Sequence, residues 1–137
     1  MLALALLALP ASLAQAGELR IAVENIAGND GHVRVALYGE GSKFLESGQE
    51  EAASFRIASP GTMTFSFPDL AAGRYGVAVF HDANGNGELD SNLLGIPTEG
   101  VAFSNAARAN FGPPSFADVA VTVPEEGAVT TRAPLTY

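Results

Sequence analysis

The chain has no cysteine, no tryptophan and no cluster of basic residues. Each absence removes a class of protein. Without cysteine there is neither a disulfide framework nor a thiolate site for zinc or redox chemistry. The seven Lys and Arg residues stand singly along a chain of formal net charge −8. Binding to nucleic acid draws on clustered cations that release counterions, so no nucleic-acid partner is expected, and an anionic membrane surface is disfavoured for the same reason. With only His32 and His81 as imidazoles, a zinc site is a poor reading. Gly-x-Ser-x-Gly, Walker and dinucleotide-binding patterns are missing, and Ser104 and Ser115 have no base beside them in sequence. No catalytic residue and no enzymatic activity are expected.

What is present points elsewhere. Residues 1–16 are uncharged and apolar and end in Ala14-Gln15-Ala16, which reads as a signal peptide with a small-x-small cleavage site. The run is short for a bilayer, which takes about 20 residues, so no membrane span is expected. Residues 17–137 then make a single domain, large enough to fold around its own core. A 47% hydrophobic composition with 15 glycines favours a β-rich, turn-rich chain.

Alternation of apolar and polar residues is the dominant period. Leu19, Ile21 and Val23 share one face of a strand, as do Val33, Val35 and Leu37 of another. The turn-forming residues 27–31 between them predict a first hairpin. Ser42 is a candidate N-cap for one helical turn in residues 42–51. Tyr75–His81 is apolar on both faces and reads as a central strand. The spacing of strands predicts an all-β fold: one Greek-key β-sandwich of seven to eight strands. Leu70-Ala71-Ala72-Gly73-Arg74-Tyr75 resembles a tyrosine corner, in which the hydroxyl bonds back to upstream backbone.

The chemistry concentrates in His81–Asp90, HDANGNGELD. Counted from Asp82, oxygen-bearing side chains fall at positions 1, 3, 5 and 9: Asp82, Asn84, Asn86 and Asp90. Gly87 stands where a calcium loop turns sharply, and Glu88 can offer its backbone carbonyl. A hard cation needs six to eight oxygens at about 2.3–2.6 Å, and alternate side chains on a tight curl supply them. Leu93 stands where an EF-hand has its bidentate Glu, so this is at most a shorter, weaker calcium loop, with Glu99 as a candidate further carboxylate; a polar loop closed by Asn-Gly without metal is the alternative. Tyr75–Ala107 holds four acids and no Lys or Arg. His81 shares its parity with Val77 and Val79 and is expected at the edge of the core; His32, in the first turn, is expected to be exposed.

HDANGNGELDSN, LGIPTEG, FSN and GPPSF, in that order, resemble the bacterial secreted-protein family called domain of unknown function 2141. Val101-Ala102 departs from the aromatic and glycine common there. The resemblance implies a transthyretin-like or immunoglobulin-like sandwich in a periplasmic or secreted protein and implies no activity. Asn92, Glu99, Ser104 and Asn105 are candidates either to close the long loop onto the sandwich or to meet a ligand. The expected role is a non-enzymatic module with a calcium-stabilised loop and a protein or glycan partner. The alternatives are a purely structural envelope domain and a hydrolase on a transthyretin-like scaffold. The hydrolases of that appearance end in Tyr-Arg-Gly-Ser, whereas this chain ends in Pro134-Leu135-Thr136-Tyr137.

Overall fold

Strict alternation gives each strand one face to bury, and two sheets pressed together bury those faces at once. The computed structural model describes residues 16–137, so the expected leader lies outside the described residues except for Ala16. The strands are β1 (Gly17–Ile26), β2 (His32–Gly39), β3 (Ala52–Ile57), β4 (Gly61–Leu70), β5 (Gly73–Asp82), β6 (Val101–Phe103), β7 (Val121–Val123) and β8 (Gly127–Pro134). One sheet has the order β4-β1-β8 and the other β3-β2-β5-β6, with β7 also paired to β5. The fold is a β-sandwich.

The core lies between the sheets. Leu19, Ile21 and Val23 of β1 face Val33, Val35 and Leu37 of β2 and Val77 and Val79 of β5, all with 3% exposure or less. Met63, Phe65 and Phe67 of β4 and Val121 and Val123 of β7 extend the same layer. Each such side chain contributes roughly 1.5–3 kcal/mol through burial. As its sequence suggests, β5 is central: it pairs with β2 on one side and with β6 and β7 on the other.

The expected first hairpin does not form. β1 pairs with β4 and, in parallel, with β8, while β2 pairs with β3 and β5. Residues 27–31 therefore carry the chain from one sheet to the other. Alternation specifies a buried face but not the neighbouring strand, and a five-residue turn serves either connection. Near its end β1 shifts register between Val23 and Ile26, with Asn25 at φ 61°, and this bulge turns the chain out of its sheet.

Nor does Ser42 start a helical turn. Its amide and its hydroxyl both donate backward to the Gly39 carbonyl, at 3.2 and 2.7 Å. Leu45, with φ 69°, then breaks any helical run, and residues 40–50 form successive reverse turns. A helix forms elsewhere. The single-turn α1 (Phe116–Val119) forms because Ser115 and Asp118 cap it reciprocally. It packs on the outer face of β5 over Gly76, where a Cβ would lie 2.8 Å from Val119 Cγ2. Buried Ser104 accepts from the Val77 amide at 3.0 Å and donates to the Val119 carbonyl, and Asn105 donates to the Ala120 carbonyl at 2.9 Å. Both close the long loop onto the sandwich. Tyr75 donates its hydroxyl to the Ala71 carbonyl at 2.6 Å, the expected tyrosine corner.

Candidate metal centre

Asp82 is the last residue of β5, directly opposite His32 at the start of β2. Parity puts both on the outer face of their sheet, yet Asp82 is 0% exposed. The loop that follows folds back over it. Where that loop begins, Gly31 of the β1–β2 connection, at φ +66°, comes so close that an added Cβ would sit 1.9 Å from the Asp82 carbonyl oxygen. Only glycine fits there.

One carboxylate oxygen of Asp82, Oδ2, accepts from Arg34 Nε at 2.7 Å and from the Gly87 amide at 2.8 Å. The other, Oδ1, is buried and has no partner in the chain. Burial disfavours the charged form. The Arg34 and Gly87 hydrogen bonds, the Arg34 charge and the Asn86 amide outweigh it, so the carboxyl is held below its ordinary 3.8. The acid-rich segment Tyr75–Ala107 thus does find a cation, supplied from β2.

Beyond Asp82 the loop curls on its own amides. Asn84 Oδ1 accepts from the Asn86 amide at 3.2 Å and Asn86 Oδ1 from the Glu88 amide at 3.0 Å. Both side-chain amide nitrogens turn to one carboxylate: Asn84 Nδ2 donates to Asp90 Oδ2, and Asn86 Nδ2 to Asp90 Oδ1 at 2.9 Å. Asn84, Asn86 and Asp90 therefore meet, and Gly87 ties Asp82 to the same curl. The Glu88 side chain takes no part in these bonds. Among the described residues, no three His, Asp or Glu side chains gather as a metal-holding group. The polar cluster is instead two carboxylates and two amides.

Glu99 acts differently from a further ligand. Its Oε2 accepts from the Ala83 amide at 2.9 Å and its Oε1 from the Asp90 amide at 3.0 Å, so one carboxylate holds both ends of the loop. Asn92 likewise closes its own turn, accepting from the Leu94 and Ile96 amides at 2.9 and 3.1 Å.

The match to a family model described as an uncharacterized protein conserved in bacteria, DUF2141, runs over residues 21–132 and so takes in every strand that frames this loop. The chain belongs to the DUF2141 family. No curated protein and no solved structure matches it.

In this DUF2141 chain the two histidines differ from each other. His81, 4% exposed, is the expected core-edge residue: Nε2 meets the Asp30 carbonyl at 2.7 Å and Nδ1 the Tyr137 hydroxyl at 2.8 Å. The carbonyl only accepts, so Nε2 carries the proton and Tyr137 donates to Nδ1. His32 is not the exposed turn residue expected. It is half-buried at the start of β2, edge-on to Phe55, and its Nδ1 is buried without a partner.

Arg34 is the site residue that reading the sequence misses. It lies 48 positions from Asp82 and becomes its neighbour only through the β2–β5 register, which places Arg34 opposite Phe80. The available signal was parity: between inward Val33 and Val35, Arg34 must face outward, on the side where Asp82 also points.

Proposed function

We propose that this chain is an exported, non-enzymatic β-sandwich module whose loop 82–90 is ordered by calcium and presents a surface to a protein or glycan. The observation that carries this reading is the unpartnered Oδ1 of the buried Asp82. A buried carboxylate oxygen without a donor costs about 1–3 kcal/mol, and a divalent cation removes that cost. Ligation through the Asn84 and Asn86 oxygens would exchange their present bonds from the Asn86 and Glu88 amides, and the Asp90 contacts of their nitrogens, for the cation. The residues that would hold calcium are Asp82, Asn84, Asn86 and Asp90 through side chains and Glu88 through its carbonyl. The cation's part is structural: it gathers oxygens and fixes the curl.

A non-enzymatic role is supported by how the reactive side chains are engaged. His81 braces Asp30 and Tyr137, Ser104 joins β5 to α1, and Ser115 caps α1. Support for a partner surface comes from Leu93, Leu94 and Ile96, exposed on the segment that follows the loop. No helix among the described residues is long and apolar enough to cross a membrane.

With two charged ligands the dissociation constant should be about 0.1–1 mM, and at roughly 1 mM calcium the tighter limit stabilises the fold by about 1.4 kcal/mol. Calorimetric titration of calcium into the chelator-treated protein tests this. The expected result is saturable binding that Asp82→Ala and Asp90→Ala abolish. No binding heat, with the same melting temperature in EDTA and in excess calcium, overturns it. That outcome would favour a metal-free loop, a reading supported by the Arg34–Asp82 ion pair and the Glu99 brace.

A further inference from the structure

The described residues contain two buried side-chain polar atoms without partners, Asp82 Oδ1 and His32 Nδ1. They belong to residues directly opposite each other in the β2–β5 ladder, so they share the outer face of the sheet. The same loop covers both. A Cβ added to Gly85 would lie 4.0 Å from His32 Nδ1, and one added to Gly87 would lie 3.7 Å from Arg34 Nη2. Two unsatisfied polar atoms on the floor of one loop point to one polar guest.

Imidazole nitrogen is a poor ligand for a hard cation, which takes oxygen and commonly keeps water in its shell. A buried water needs two or more polar partners, and here it has an acceptor on each side. We propose that His32 is a positioning residue for the calcium loop: its Nδ1 accepts a hydrogen bond from a water that completes the shell of the ion held by Asp82 Oδ1. This rests on the calcium reading above and names the one ligand that the loop's own sequence does not supply. In this role Nδ1 offers its lone pair and the ring N–H is at Nε2. The ion polarises the O–H bonds of its water, which strengthens the bond to Nδ1, and that bond in turn fixes the water's lone pair towards the ion. The Phe55 ring, edge-on to His32 at 5.4 Å between centroids, holds the imidazole in place.

The test compares calcium binding to the chelator-treated full chain as wild type, His32→Phe and His32→Asn. Phe keeps the ring and its contact with Phe55 but has no acceptor; Asn returns a polar atom near the position of Nδ1. The expected result is a loss of about tenfold in affinity for His32→Phe, with His32→Asn within about threefold of wild type. In the wild type, calcium should also shift the His32 Nδ1 nitrogen resonance and leave that of His81 unmoved. Equal affinity of His32→Phe and wild type, or a His32 resonance indifferent to calcium, overturns this inference alone. A wild type that takes up no calcium overturns the calcium reading and this inference together. Should His32→Phe fail to fold, the resonance of the wild-type ring decides.

Discussion

Arg34 on β2 reaches diagonally across the sheet to Asp82 on β5, and the 2.7 Å bond between them is made beneath a loop that hides the carboxylate from water. The pair is asymmetric: Arg34 keeps 25% of its side chain exposed while Asp82 keeps none. Its cation can hydrate, so the desolvation cost falls mainly on the anion, and two hydrogen bonds to one oxygen offset it.

Acid should therefore weaken the fold through this carboxylate. The Asp82 value in the folded protein lies below the ordinary 3.8, so the unfolded chain takes up the proton more readily. The stabilisation is present above the unfolded value and is lost as the pH falls through the folded one. Urea midpoints measured between about pH 6 and pH 2 should drop more steeply for wild type than for Arg34→Met. Parallel curves would show that the pair does not set the acid limb.

Glu99 should act on the loop without acting on the core. Glu99→Ala removes the carboxylate that accepts from the Ala83 and Asp90 amides and leaves Ala83 only its 3.0 Å bond to the His81 carbonyl. Hydrogen exchange at those two positions is expected to speed up by about tenfold or more, while the amides of Val35 and Val79 keep their protection. Unchanged exchange at Ala83 and Asp90 would mean that the loop closes by other contacts.

Tyr75→Phe should cost about 1 kcal/mol, because it deletes the bond to the Ala71 carbonyl and leaves the buried ring in place. Equilibrium denaturation reads this directly. A change of midpoint with no change of slope is expected, since the packing of the two sheets is untouched.

Tyr137→Phe tests the brace at the other end of β5. The hydroxyl accepts from the Ala27 amide at 3.0 Å and donates to His81 Nδ1, so its removal strands two polar groups. The expected loss is about 1–2 kcal/mol, accompanied by a shift of the His81 ring resonances. A variant as stable as wild type would show that water replaces the hydroxyl.

Side-chain periodicity made the two-layer fold legible. Leu19, Ile21 and Val23, or Val33, Val35 and Leu37, can only be buried on one face, and the turn before Tyr75 carries its own signature. The loop could be outlined from spacing alone, because Asp82, Asn84, Asn86 and Asp90 lie within nine residues and a tight curl brings near neighbours together. What spacing could not supply was anything arriving from another strand. Arg34, His32 and the double grip of Glu99 depend on register or on the path of the return segment, neither of which a single sequence states. The split of β1 from β2 was hidden for a similar reason, since one turn composition serves a hairpin and a change of sheet alike. The reciprocal cap of Ser115 and Asp118 was readable in the sequence as Ser-x-x-Asp and marks the start of α1.

The side-by-side alignment of β1 with β8, Gly17 beside Gly127 through Glu24 beside Pro134, governs when the protein can fold. Partners separated by about 110 positions meet only after most of the intervening chain has been made, and such long loops slow the search for the native state. Until β8 arrives, β1 has a bare edge along one side, open to pairing with other chains. Synthesis of residues 127–134 is thus the moment at which this protein passes from vulnerable to protected.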